Sequence, residues 1–311
     1  MGKRILVGVD IGGTNIKSAL VENGKIKKRI KLPTKANLGF TKSINQIKSA
    51  ISPFVKHASG IGIGIAGIID SKNGVVQFSP NLKGWHNIKL ASILKREFKK
   101  PVKILNDVNA ICLGEWIYGA AKGYDNVFLF TIGTGVGGAA ICEGKPLFGA
   151  NGFAGEFGHT IIKYDGPKCC CGNYGCLERY VSASPIVSFA KRKMKGKNSS
   201  LKKYKKLTPE IIAQEAKKGD KLAKEVFAEI GYYIGIGMTN IIALFDPNIV
   251  VISGGISRAG RVLFEPIKKT LAKRLLGAKY RNYKIVPAKL GDDAGVLGVV
   301  YFVSEFNSDI I

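Results

Sequence analysis

Residues 5–21 read ILVGVDIGGTNIKSALV, and residues 127–142 read VFLFTIGTGVGGAAIC. Each starts as an apolar run, breaks at glycines and resumes as a second apolar run. That is the pattern of two strands joined by a tight loop. The spacing predicts strands at 4–10 and 16–21 around Gly12-Gly13-Thr14. It predicts a second pair at 127–132 and 139–142, around a glycine-rich turn at 133–138. One such unit opens each half of the chain, which points to an internal duplication.

Outward from these units, a further alternation covers 25–32, and Ile44, Ile47, Ile51 and Val55 share a helical face over Phe40–Val55. A buried strand at 61–65, a helix at 91–98, a strand at 102–105 and a helix at 109–119 follow. The second half predicts one helix from 209 to about 244, then strand 249–253, helix 263–276, strand 284–287 and a last helix at 294–306. Strands alternating with helices give the α/β class. No Pro/Ser-rich linker separates the halves, so the boundary is expected near the 109 helix. The domains read as 1–108, completed by the last helix (294–311), and 109–293.

A chain of 311 residues that is 46% hydrophobic buries a substantial core, which excludes disorder for most of it. Its apolar runs, such as 61–69 and 249–252, fall well below a bilayer span, and the start has no signal-peptide pattern. A cytoplasmic protein is expected, with no membrane partner. The net charge of +26 suits nucleic acid, small anions or a lysine-rich solvated surface. The densest stretch, 191–206, holds nine Lys or Arg, no acid and one aromatic, Tyr204. It carries no nucleic-acid signature and reads as a mobile surface segment, so no specific nucleic-acid partner is expected.

The runs GTGVGG at 133–138 and GIGIAG at 62–67 match G-x-G-x-x-G literally, but apolar runs rather than helices follow them. The dinucleotide reading therefore fails, and no Walker motif exists. What remains is a pair of threonine-bearing glycine turns. They are either ordinary hairpin loops or concavities whose N–H groups bind phosphate oxygens. Thr14 and Thr134 add hydroxyls, and Asp10 is placed to hold magnesium through water. Gly254 and Gly255 form a third turn, where a base or ribose could lie flat.

Four of the six cysteines fall in Cys169-Cys-Cys-Gly-Asn-Tyr-Gly-Cys176. Cys169, Cys171 and Cys176, with His159 upstream, make the Cys3His set of a closed, tetrahedral structural zinc site. Cys170 is the spare, expected to point away. His57 and His86 read as surface residues, and Cys112 and Cys142 stand alone in apolar surroundings. Among nearby acids, Asp107 follows a strand directly and reads either as a functional carboxylate or as the N-cap of the next helix. Glu156 and Glu178 flank the histidine and the cysteines; with Asn106, such carboxylates suit a polyhydroxylated ligand.

These motifs together resemble the ROK family of sugar kinases and sugar-responsive repressors, over residues 5 to about 300. The carriers are DIGGT at 10–14, GIAG at 64–67, PNLKGW at 80–85, NDVN at 106–109, IGTGVGG at 132–138, EFGH at 156–159, CxCGxxGCxE at 169–178 and Gly254-Gly255. The resemblance implies an actin-like ATPase (ribonuclease H-like) fold, with two α/β domains around a cleft. ATP phosphates would be bound by Asp10, Gly12, Gly13, Thr14 and Asn15, and by Gly133, Thr134, Gly135, Gly137 and Gly138. Gly254 and Gly255 would serve the same cofactor. Asp107 would be the general base. Gly67, Asn81, Asn106, Asp107, Glu156, His159 and Glu178 would contact the sugar, with His159 also a zinc ligand. One departure is Ala66, where many members carry Pro. The implied reaction is ATP-dependent phosphorylation of a hexose with magnesium, glucose first; mannose, fructose, N-acetylmannosamine and N-acetylglucosamine are alternatives. A homodimer or homotetramer is expected. The competing class, a sugar-responsive DNA-binding repressor, needs a helix-turn-helix before this body, and the first strand at residue 4 is read as leaving no room for one.

Overall fold

The computed structural model describes residues 4–306; residues 1–3 and 307–311, which the predicted first domain includes, lie outside the described residues. In chain order the strands of the first half are β1 (Ile5–Ile11), β2 (Asn15–Glu22), β3 (Lys25–Pro33), β4 (Gly60–Ile65), β5 (Ile68–Asp70), β6 (Val75–Phe78), β7 (His86–Ile88) and β8 (Val102–Asn106). Its helices are α1 (Phe40–Val55), α2 (Leu90–Phe98) and α3 (Asp107–Tyr118). The second half holds β9 (Val127–Ile132), β10 (Val136–Cys142), β11 (Lys145–Pro146), β12 (Ile249–Ser253) and β13 (Lys284–Pro287). Its helices are α4 (Glu178–Val181), α5 (Ala183–Lys193), α6 (Pro209–Lys217), α7 (Lys221–Phe245), α8 (Arg261–Arg274) and α9 (Ala294–Glu305).

The chain gathers into two compact units. Of the described residues, the first takes those up to Gly123, Pro146–Ala154 and those from Lys289 on. Its main sheet runs β3-β2-β1-β4-β8, antiparallel through β3-β2-β1 and parallel from β1 to β8. Alternate residues of β1 serve opposite faces. Val7, Val9 and Ile11 pack with the apolar stripes of α1 and α2, and Leu6 joins Val296, Leu297 and Val300 of α9. Helices thus cover both faces, as a sheet with parallel strands requires.

The division falls after Gly123, not near residue 108, because α3 is bound into the first unit. Its fully buried Glu115 accepts the backbone N–H groups of Lys289 (3.0 Å), Leu290 (2.7 Å) and Ala120 (2.8 Å). Pro146–Ala154 joins this unit as well, with the Phe148 ring against Phe302 and Phe306.

The second unit holds Tyr124–Lys145 and Gly155–Ala288. Its sheet order, β11-β10-β9-β12-β13, repeats the first with the same pattern of directions: β9 is antiparallel to β10 and parallel to β12, which is parallel to β13. The single helix expected over 209–244 is two. The chain breaks at Gly219, and the Asp220 carboxylate accepts Ala223 N–H (2.8 Å) to cap α7. Among the described residues α7 alone is long and apolar enough to cross a bilayer, but more than half of that apolar stretch is buried within the protein.

The basic run is docked, contrary to the mobile segment expected. Leu201 is fully buried. The Ser199 hydroxyl (2.9 Å) and the Ser200 N–H (2.7 Å) donate to Asp220, and Ser200 Oγ and Tyr204 OH donate to the buried carboxylate of Glu215. Its lysines project outward while one leucine and three hydroxyls hold the backbone. The count of charges conceals that pattern.

Candidate active site

The turn between β1 and β2 is built to leave donors over. Gly12 N–H bonds to Asn15 O (3.0 Å), while Gly13 N–H and Thr14 N–H have no acceptor among the described residues. Both residues are exposed. Thr34, fully buried at the end of β3, braces the loop: its hydroxyl donates to Gly12 O (2.7 Å) and its N–H to Thr14 O (2.9 Å). The motifs gave no hint of Thr34; the only cue was a polar residue closing the β3 alternation. Asp10, two residues before the turn, has Oδ2 3.6 Å from Lys17 Nζ. Burial nonetheless lifts its carboxyl above the usual carboxylate range, helped by Asp292. Asn81 lies beside this turn, since a Cβ on Gly13 would sit 3.2 Å from that of Asn81.

The turn between β9 and β10 repeats the device in a shorter loop. Gly133 N–H bonds to Gly135 O (2.9 Å), and Thr134 N–H and Gly135 N–H are left without acceptors among the described residues. The expected turn at 133–138 is too long, because Gly137 and Gly138 belong to β10, paired with Thr131 and Phe130. A Cβ on Gly138 would come within 2.9 Å of Gly155 O and of Phe157 Cβ, so packing explains this glycine without a phosphate.

At the C-terminal end of β8, Asn106 is the cap of α3, a role the sequence reading offered to Asp107. Its Oδ1 accepts Val108 N–H (2.9 Å) and Asn109 N–H (3.2 Å), and Nδ2 donates to Gly67 O (3.1 Å). One amide N–H is then left for a ligand. Asp107 is the first helical residue, half-buried, with Oδ1 3.0 Å from Val108 N. The first turn of a helix favours an acidic side chain there. Gly67 has φ 133°, and an added Cβ would collide with Phe78 O, while Ser79 Oγ bonds to Ala66 O (2.7 Å). Asn106 and the buried Asn109, which sequence reasoning passed over, line a cavity of about 430 Å3 with Asp70, Gln77 and Asn151. Gly67, Asn81 and Asp107 are not among its lining residues.

In the second unit, a 3-10 turn at Phe157–His159 carries Glu156 at its start, with Glu156 O accepting His159 N–H (3.1 Å). The donor atoms of His159, Cys169, Cys171 and Cys176 all lie within 4.8 Å of one another. His159 Nδ1 is 3.6 Å from Cys169 Sγ, and Cys171 Sγ is 3.6 Å from Cys176 Sγ. Burial and hydrogen bonds with Cys171 and Cys169 push the Cys176 thiol up to about 12. So many thiols side by side ionise together only around a cation, which is the chemistry of this donor set. Cys170 does not point away: its Sγ is 3.6 Å from Glu178 Oε1. Glu178 opens α4, and its Oε2 accepts Val136 N–H (2.9 Å), fixing the end of the second glycine turn. Gly255 lines a separate cavity of about 220 Å3 with Glu210, Gln214, Lys217 and Arg258, and Gly254 precedes it at φ 88°.

A family model described as the ROK family matches residues 6–305. This chain belongs to the ROK family. It is 37% identical to a Thermotoga maritima glucokinase, over 98% of this chain and 99% of that one. It is also 37% identical to a Caldicellulosiruptor bescii xylose repressor, over 78% of this chain and 62% of the repressor. Among solved structures, the ROK family glucokinase of Streptomyces griseus in complex with glucose and AMPPNP matches with a TM-score of 0.83 at 31% identity. That match covers 96% of this chain and 98% of the other. The ROK fold is the actin-like ATPase fold, and the repeated sheet order described above is its signature here.

Proposed function

We propose that this ROK chain transfers the γ-phosphoryl group of ATP to the 6-hydroxyl of a hexose, glucose before mannose, fructose or the N-acetylhexosamines. The observation that carries the reading is the pair of glycine turns, each presenting two exposed N–H groups with no acceptor among the described residues. Such donors bind phosphate oxygens and stabilise charge on the group in transfer. Likeness over nearly the full chain to glucokinases supports the same reading.

Gly13 and Thr14 on one turn, and Thr134 and Gly135 on the other, hold phosphate oxygens. The nucleoside end goes to the cavity beside Gly255. Asp107 takes the proton from the sugar hydroxyl as that oxygen attacks the γ-phosphorus and the bond to the bridging oxygen breaks, releasing ADP. Asn106, held at the same strand end, offers its remaining N–H to the sugar; Gly67, Asn81, Glu156, His159 and Glu178 are assigned to the same ligand. The half-buried Asp10 carboxylate suits a magnesium ion, which when bound supplies charge neutralisation on the phosphates. Zinc, in the His159, Cys169, Cys171 and Cys176 set, supplies a cross-link that fixes the loop bearing Glu156 and Glu178.

Coupled ADP release over a panel of hexoses tests the proposal. Glucose should give the highest kcat/KM. Turnover with none of the hexoses sinks the kinase reading, and preference for another sugar moves the assignment within it.

A further inference from the structure

The Cys3His set leaves one thiol over, and its surroundings are those of a ligand. Cys170 is exposed, with Sγ 4.0 Å from Cys169 Sγ and 3.6 Å from Glu178 Oε1. The donor atoms of Cys169, Cys170 and Glu178 all lie within 4.8 Å of one another. A tetrahedral ion with zinc-like bond lengths separates two sulfurs by about 3.8 Å and a sulfur from an oxygen by about 3.5 Å. Both observed edges fall within a few tenths of an ångström of these values. A thiol–carboxylate hydrogen bond explains one edge; it does not explain the Cys169 sulfur lying beside both groups.

We propose that Cys169, Cys170 and Glu178 form a second, weaker site for zinc or another thiophilic divalent cation. The ion shares the Cys169 sulfur with the structural site and keeps one position open to water. Binding deprotonates the Cys170 thiol, whose proton leaves to solvent as the metal–sulfur bond forms; nothing is oxidised or reduced. Three donors, one of them shared, bind more weakly than a closed set of four. Occupancy draws on the carboxylate whose other oxygen holds Val136 N–H at the end of the second glycine turn. The consequence, which rests on the kinase reading, is inhibition by free zinc.

Cadmium titration of the full chain, followed by thiolate-to-metal charge-transfer absorbance, reads the site without any turnover. Wild type should take up two equivalents per chain, the first in exchange for the zinc of the Cys3His set and the second at higher concentration. Cys170→Ser should take up one, in exchange for its zinc. One equivalent in wild type, or two in Cys170→Ser, overturns the site whatever the enzyme's activity. Under buffered free zinc, hexose phosphorylation by wild type should be lost at a concentration at least tenfold lower than for Cys170→Ser. Equal sensitivity with cadmium uptake as expected overturns the inhibitory role alone, and absent turnover in both proteins strikes the kinase reading and leaves the metal site standing.

Discussion

The two glycine turns share a plan and differ in chemistry. In each, the first glycine N–H closes the loop onto the carbonyl of its last residue, and the next two N–H groups are left exposed. Each turn joins the antiparallel pair in a sheet of the same order. But Asp10 pairs with Lys17 in the first hairpin, where Thr131 pairs with Gly137 in the second. Likewise β8 runs out into Asn106 and Asp107, while its counterpart β13 ends in Val286 and Pro287. The two loops present the same pair of free N–H groups among the described residues; the carboxylates proposed for metal and for proton transfer, Asp10 and Asp107, lie on or just after strands of the first unit. The second unit lends a carboxylate from outside its sheet, Glu178, and uses it to fix Val136.

That contrast can be broken experimentally. Its largest expected effect is at Asp107. Asn keeps the shape but takes no proton, so turnover of Asp107→Asn should fall roughly 10²–10⁴-fold with sugar binding retained. Because Asn106 already caps α3, helix capping cannot account for such a loss; near-normal turnover removes Asp107 as the base. Next come the matched positions. Asp10→Asn should raise the magnesium concentration for half-maximal activity about 10–100-fold, the usual cost of a lost outer-shell partner. Thr131→Val should leave it unchanged, and equal effects would erase the asymmetry.

Thr34→Val should lower stability by about 1–2 kcal/mol, since it strands the Gly12 carbonyl, and should raise KM for ATP more than it changes kcat. Urea midpoints and initial rates together check it. The smallest effect lies away from both turns. Hydrogen bonds from Ser200, Tyr204 and Lys218 hold the Glu215 carboxyl down to about 2, against about 4.3 when unfolded. Its contribution is therefore complete above about pH 4.3 and is lost as pH falls toward 2. Urea midpoints should drop more steeply over that range in wild type than in Glu215→Gln; parallel curves would dismiss the tether.

Much of this was legible because it is local. Short apolar runs ending at glycines or polar residues marked β1, β2, β9 and β12, and the apolar stripe of α1 gave its bounds to the residue. Glycines at strand ends located both glycine turns, and the three cysteines of the Cys3His set lie within one short stretch. The illegible features depend on residues far apart in sequence. Thr34 and Gly12 are 22 positions apart, and Glu115 reaches Leu290 across 175. Nothing in the local pattern around Glu115 distinguishes a fully buried carboxylate with three backbone donors from a solvated one. The basic run failed for the opposite reason: its charges dominate the count, while Leu201 and three hydroxyls decide where it lies.

The sequence by itself determined the α/β class, the duplicated hairpin, the family and the Cys3His cluster, since side-chain periodicity and short-range spacing survive in one dimension. Only the tertiary structure decided that Gly137 and Gly138 belong to a strand, that Asn106 caps the helix Asp107 begins, and that Cys170 meets Glu178. Those assignments turn on which backbone donor meets which acceptor, and on how close two chain segments come. Both are fixed by packing between elements that the chain brings together only when folded.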